Sequence, residues 1–332
     1  MKTLESQKYN TMKNITSSYI DTVFNGIPDI MNLYWSMDPM SYLQYLTIVT
    51  FHRLNPNFII RIYYPSKTSN KKSWKTNEQK GVFFNNDINY LEQARALEYV
   101  DWIQLDIEEI CDFLDNDSPE VYKSDFMRIY VLNKTGGYWS DMDIFYLSSL
   151  NDLSYKNLDT SLDSLICSDQ QYYIGFIGSA EGSKNFKFLL EKAEDNFNPE
   201  EYQSLGSHLY KRNNYYLSNN FTYLDPILLY SLGWSKQGLY YFYYVNVGSV
   251  TYHAPKNSSE WRKDQDSELE QQEFPIDSTL GIHWCNGNPY SKIFNNYFNH
   301  TNQFEFTSTT LGHLMTKVFA TDENYYSNRI LQ

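Results

Sequence analysis

Short apolar runs of strand length alternate along this chain with longer stretches of helical character. Residues 30–35 (IMNLYW), introduced by Pro28, predict a first strand. Residues 38–53 predict a helix, with Asp38 as N-cap and Pro39 in the first turn. Asn55-Pro56-Asn57 breaks it, and FIIRIYYP, ending at Pro65, predicts the next strand. A Lys-rich polar loop follows, then a helix over 89–98 and a strand over 100–106 (VDWIQLD). Ser118-Pro119-Glu120 marks a helix start: N-cap, proline at the first position, acid in the first turn. That helix runs to about Lys134, where Gly136-Gly137 stops it. In the second half, strands are expected at 164–168, 172–179, 248–255 and 281–286, and helices at 183–193 and 199–212. No internal repeat is visible. The alternation predicts an α/β protein with a mostly parallel sheet.

Residues 136–147, GGYWSDMDIFYL, read as one further buried strand, yet Asp141 and Asp143 sit in its middle. An unpaired buried carboxylate costs several kcal/mol. Two carboxylates at i and i+2 of a strand point the same way and, at its end, converge on one cation. Oxygen ligands at that spacing suit Mg²⁺ or Mn²⁺. A bare Asp-x-Asp, a pattern found everywhere, reads first as two solvated aspartates in a strand-end turn. In the preceding helix Asp125 and Arg128 are three apart, hence on one face. On their own they read equally well as an ordinary intrahelical ion pair.

Charge and composition narrow the field. A net charge of −13 provides no overall basic footprint for nucleic acid. The one basic run, Lys67, Lys71, Lys72, Lys75 and Lys80, reads as a solvated loop. Cys111, Cys167 and Cys285 are far apart with no CxxC spacing, which rejects a disulfide framework and a thiolate zinc site. The start, MKTLESQKYN, has no apolar core of a signal peptide, and no apolar run is long enough for a membrane span. The expectation is a soluble, cytoplasmic or otherwise intracellular protein. The 31 tyrosines, 20 phenylalanines and 7 tryptophans would suit sugar or base stacking, though most must serve the core and surface.

Taken in order, Ser124, Asp125, Arg128, Gly136, Gly137, Tyr138, Asp141 and Asp143 form a specific set. The segment resembles the DXD sugar-binding region of retaining GT-A glycosyltransferases. That group includes the fungal initiating α-1,6-mannosyltransferase, polysaccharide and lipid-glycan transferases, and the glucosylating domains of large bacterial toxins. The close match covers about 118–147. Weaker resemblances are IPDIMNLYW, HRLNPNFIIRIY, YYIGFIGSAEGSKNFKFLLEKA and GIHWCNGN. There are departures. Ile174 precedes Gly175 where the family commonly has Asn, and Leu224-Asp225-Pro226 stands in place of a Thr-Gly-Pro. Asp225 is left with two readings, a contact to sugar or acceptor, or a helix cap.

The resemblance implies a GT-A fold: a Rossmann-like, mostly parallel central sheet with flanking helices and a helical acceptor-side region. Residues 1–26 would form an N-terminal arm or helix. Residues 27–150 would be the nucleotide-sugar half, ending in the DxD motif, and 151–332 the acceptor-side half of the same domain. It implies Asp143 as the direct metal ligand and Asp141 as reaching the ribose and the metal. Asp125 and Arg128 would hold the donor sugar, and Trp35 would stack on the base. His283 would be the candidate for third metal ligand, with His253 as a rival. Trp284 lies in the segment that closes over metal and diphosphate, and Asn286 or Asn288 would approach the diphosphate. The implied cofactors are Mn²⁺ (or Mg²⁺) and a nucleotide sugar, a UDP-sugar with GDP-mannose as runner-up. The implied reaction is retaining, front-face transfer of a hexose to a hydroxyl of a glycan, lipid-linked sugar, protein or modified nucleobase.

Other classes fit less well. A haloacid-dehalogenase-type phosphatase needs a small hydroxyl residue soon after its Asp-x-Asp, where this chain has Ile144-Phe145. A non-catalytic, metal-dependent carbohydrate-binding protein would explain the aromatics and the DxD but not the Asp125/Arg128 helix. An inactive glycosyltransferase relative would keep the whole motif.

Overall fold

In the computed structural model, the described residues are 26–69, 89–155, 162–169, 171–233, 238–239, 242–243 and 279–319. Residues 1–25, the lysines Lys71, Lys72, Lys75 and Lys80, and the expected strand at 248–255 with His253 lie outside them.

A seven-stranded sheet runs in the order β3-β2-β1-β4-β7-β6-β8. Its strands are β1 (Ile30–Tyr34), β2 (Ile59–Tyr64), β3 (Val100–Gln104), β4 (Gly137–Ser140), β6 (Ser164–Ser168), β7 (Tyr172–Ser179) and β8 (Thr222–Leu224). β3, β2, β1 and β4 are mutually parallel, β7 is antiparallel to both β4 and β6, and β6 pairs parallel with β8. A second, two-stranded antiparallel sheet joins β5 (Ile144–Tyr146) to β9 (Gly281–His283). Alternate strand residues feed two apolar layers. Tyr138 and Phe176 belong to one, Trp139 and Ile177 to the other. The architecture is the mostly parallel α/β sheet expected, with the Asp-x-Asp at the end of β4.

Helices α1 (Tyr42–Leu54), α2 (Leu91–Arg95), α3 (Glu120–Thr135) and α4 (Lys184–Asn196) connect these strands. After them come α5 (Ser207–Arg212), α6 (Asn214–Leu217), α7 (Ile227–Tyr230), α8 (Pro289–Asn295) and α9 (Thr310–Phe319). Among the described residues, no helix is long and apolar enough to cross a membrane.

Five sequence expectations need correction. The first helix starts at Tyr42, not Asp38, because Ser41 and Gln44 form a complete capping box. Asp38 instead accepts a bond from the Ser36 hydroxyl at 2.7 Å. Ser118 does not cap α3, since its hydroxyl is taken by Asp115 at 2.8 Å. The helix expected over 199–212 forms only from Ser207, and the strand expected over 281–286 ends at His283.

The fifth correction is the most consequential. The run 136–147 is not one strand. β4 ends at Ser140, a turn carries Asp141, Met142 and Asp143, and β5 begins at Ile144 in the other sheet. The chain leaves the first sheet where its carboxylates begin. A continuous buried strand would have had to desolvate both.

Two features hold this turn. Gly136 and Gly137 have φ of 64° and 93°, and a Cβ on Gly137 would lie 2.6 Å from the Ile30 carbonyl oxygen. Asn32 on β1 donates to the Gly136 and Tyr138 carbonyls at 3.1 Å each, fixing the start of β4. On the far side α1 reaches up: the Thr47 hydroxyl donates to the Met142 carbonyl at 3.1 Å, and the Tyr146 amide donates to the Thr50 hydroxyl at 3.2 Å.

Candidate active site

Arg128 on α3 is buried between two carboxylates. It bonds Asp125 at 3.0 Å and Asp141 Oδ1 at 2.8 Å. Its guanidinium carbon lies 5.3 Å from the centroid of the Trp139 ring, whose N–H donates to the same Asp141 oxygen at 3.1 Å. Burial works against the guanidinium charge, but Asp141 and Asp125 outweigh it and hold its pKa above the usual arginine value. The Nε atom of Arg128 is buried with no hydrogen-bond partner among the described residues. A Cβ on Gly206 would stand 2.9 Å from Asp125 Oδ2 and 2.6 Å from Gln203 Oε1, so the absence of a side chain there keeps the carboxylate accessible.

Asp143, the last residue of the turn, is held from the second sheet. Its carbonyl accepts from the Trp284 amide at 2.9 Å, its Oδ2 accepts from the Asn286 amide at 2.8 Å, and its Oδ1 lies 3.2 Å from His283 Nε2. Burial pushes the Asp143 carboxyl upward in pKa; His283 opposes this and Asp141 adds to it. Asp141 is keyed to the first sheet instead, its amide donating to the Gly175 carbonyl at 2.8 Å.

The turn and β9 thus bring Asp141, Asp143 and His283 together, each offering a ligand atom within 4.8 Å of the others. His283 stacks on the Tyr230 ring, centroids 4.8 Å apart, and its Nδ1 is 3.3 Å from Cys285 Sγ. Two carboxylates and an imidazole suit a divalent ion such as Mn²⁺, whose charge would offset the cost of burying Asp143. The residues fit the cation.

Two cavities meet here. The first, of about 250 Å³, is lined by Trp35, Ser124, Asp125 and Arg128 among others. The second, of about 560 Å³, is lined by Tyr172, Tyr173, Tyr230 and His283 among others. Asp141, Asp143, Ile174, Tyr202 and Gln203 line both.

Residues 16–159 match the sequence model of the family described as glycosyltransferase sugar-binding region containing DXD motif. Over those residues the chain is similar to the DXD glycosyltransferases. No curated protein sequence matches it. Solved structures with a similar course of chain include the galactosyltransferase LgtC in complex with donor and acceptor sugar analogs, at 12% identity and a TM-score of 0.42, over 90% of this chain and 99% of that one. The glycosyltransferase GlyE of Streptococcus pneumoniae TIGR4 aligns at 12% and 0.41, over 84% of this chain and 65% of that one. The PaToxG glycosyltransferase aligns at 12% and 0.41, over 63% and 76%.

The structure gathers Asp125, Arg128, Asp141, Asp143 and His283 at one place, with Trp35 at the first cavity. The Trp35 indole donates to the Asp38 carbonyl at 2.8 Å, which fixes the ring. Asn286 lines the first cavity and Asn288 the second. The Trp284 ring is fully buried and lines neither; only its backbone supports Asp143. Asp225 is exposed and its carboxylate accepts from the Ile227 amide at 2.9 Å, the helix-cap reading. Tyr230 and Cys285, which orient His283, were not singled out in sequence. Cys285 was visible only as the residue two past the histidine, and nothing in the linear order ties Tyr230 to it.

Proposed function

We propose that this glycosyltransferase transfers a hexose from a nucleotide sugar to a hydroxyl acceptor with retention of configuration, using a divalent cation held by Asp141, Asp143 and His283. The observation that carries the reading is the convergence of those three ligands beside the Arg128–Asp125 pair, where the two cavities meet. Bound there, the cation would supply Lewis-acid stabilisation of the departing nucleoside diphosphate. The first cavity takes the donor: Trp35 stacks on the base, and Asp125 and Arg128 hold the sugar hydroxyls. A UDP-sugar is the donor that the sequence resemblance implies, and the modest size of this cavity is in keeping with a pyrimidine.

The acceptor hydroxyl enters from the second cavity. Its oxygen bonds to the anomeric carbon as the bond from that carbon to the diphosphate breaks. The electron pair leaves with the diphosphate, and the acceptor proton passes to a diphosphate oxygen. Both cavities touch Asp141 and Asp143, which supports approach on the side from which the diphosphate departs. The buried Arg128 cation favours charge building on that side.

The test is hydrolysis of UDP-glucose, UDP-galactose, UDP-N-acetylglucosamine and GDP-mannose with Mn²⁺ and with EDTA. Release of one nucleoside diphosphate only with Mn²⁺ is the expected result. Equal release in EDTA would remove the cation from the mechanism. Absence of both turnover and thermal shift with every donor would remove the enzyme reading.

A further inference from the structure

The second cavity has a chemical character of its own. At the end shared with the first it carries Asp141, Asp143 and His283. Away from that end its described lining is uncharged and able to hydrogen-bond: Gln171, Tyr172, Tyr173, Tyr202, Ser207 and Asn288. No lysine or arginine appears among the described lining residues.

This composition discriminates between acceptor classes. Beyond the proposed cation site, a phosphate, sialyl or uronic acid group would find no lysine or arginine among the described lining residues, and desolvating such a charge is costly. A lipid tail would need walls without this density of hydroxyls and amides. Tyrosine faces combined with amide and hydroxyl groups match a sugar, which has apolar ring faces and a rim of hydroxyls.

The aromatic surface does not stop at the cavity wall. The Tyr172 ring lies 6.4 Å from that of Tyr223, and their hydroxyls are 3.4 Å apart. Asn214 steadies Tyr172, accepting from its hydroxyl at 2.6 Å. Tyr223 is 37% exposed, one of few large aromatics at the surface among the described residues. A ligand chain leaving the cavity past Tyr172 would run on to it.

We propose that the second cavity is the acceptor subsite for a neutral glycan of at least two sugar units, the receiving unit inside the cavity and the next against Tyr223. This rests on the reading of the first cavity as the donor site. Its test is direct binding, which needs no donor turnover.

The protein, with Mn²⁺ and UDP, is applied to an array of neutral and anionic glycans, and bound glycans are titrated in solution against the matching monosaccharide and a serine-rich peptide. Retention of neutral oligosaccharides, with anionic counterparts about tenfold weaker or more, is expected. Tyr223→Ala should weaken a bound tetrasaccharide by about three- to tenfold, the range of one aromatic contact, and its monosaccharide much less. Tyr223→Phe should restore binding. Retention of no neutral glycan, equal binding of anionic glycans or peptide, or an unchanged chain-length preference in Tyr223→Ala would overturn the proposal. The donor hydrolysis panel reports separately on the first cavity.

Discussion

Arg128 and Asp141 are thirteen positions apart and joined by a 2.8 Å ion pair. The pair spans the Gly-Gly turn and all of β4, so one buried cation sets the position of a carboxylate on each side of that strand.

Replacing Arg128 with Met leaves Asp125 and Asp141 facing each other without a counter-charge. The expected cost is about 3–5 kcal/mol of stability, measured by denaturant titration. Arg128→Lys should recover part of it but not donor hydrolysis, because one ammonium cannot reproduce the planar fork that spans both carboxylates. A Lys variant with wild-type turnover would show that charge alone suffices.

Asp143 gives a pH prediction. Burial raises its folded-state pKa above the ordinary carboxylate value of 3.8. The folded protein then keeps a proton that the unfolded chain has released, so this group removes stability as pH climbs through that window. Asparagine cannot ionise and can still accept from the Asn286 amide. In EDTA, Asp143→Asn should therefore melt higher than wild type at about pH 8 and converge with it below about pH 4, while losing Mn²⁺-dependent hydrolysis. A variant that melts lower than wild type at pH 8 would contradict the assignment.

Cys285 lies against the ring nitrogen of His283 that faces away from Asp143, at 3.3 Å. A partner there fixes which nitrogen is offered to a metal. Cys285→Ala should weaken Mn²⁺ binding by about 10–100-fold, read by the disappearance of free-ion signal in electron paramagnetic resonance. Cys285→Ser should recover most of the affinity. Unchanged affinity in the alanine variant would leave Tyr230 stacking as the main orienting contact.

The glycine turn is testable by pairing two substitutions. Gly137→Ala meets both a φ of 93° and the Ile30 carbonyl oxygen 2.6 Å from the new Cβ, and should cost about 2–4 kcal/mol. Gly182→Ala has a φ of 71° but open space around it, and should cost only about 1–2 kcal/mol. Equal losses would mean that conformation, not close approach to β1, is the constraint at Gly137.

Much of this was legible in the sequence because the chemistry is local. Asp125, Arg128, Asp141 and Asp143 fall within one short segment, and their spacing with Gly136-Gly137 is informative by itself. β1, β2, β6 and β7 were equally plain, as short apolar runs with clear breaks. Where the reading went astray, two local rules competed. Asp38-Pro39 and Ser41-x-x-Gln44 are both helix starts, and the reciprocal capping box won. Residues 136–147 have strand composition throughout, and only the cost of burying two carboxylates reveals that the run must break. Trp284 could be core or cleft with equal ease from sequence; its position on the inner side of the segment made it core. The contact of Tyr230 with His283 depends on the packing of α7 against β9, which linear order does not encode.

The division of the DxD turn between two sheets makes the proposed cation centre a check on strand alignment. Ile144 sits opposite His283 across the β5–β9 ladder. Side chains alternate along a strand, so a slip of one residue would turn the imidazole to the opposite face and bring Ile282 to the ligand position. Asp141 answers to the other sheet through Gly175. Three-point coordination is therefore available only when a strand from late in the chain has docked in its native frame, and chains that have misaligned it would be left without a grip on the metal.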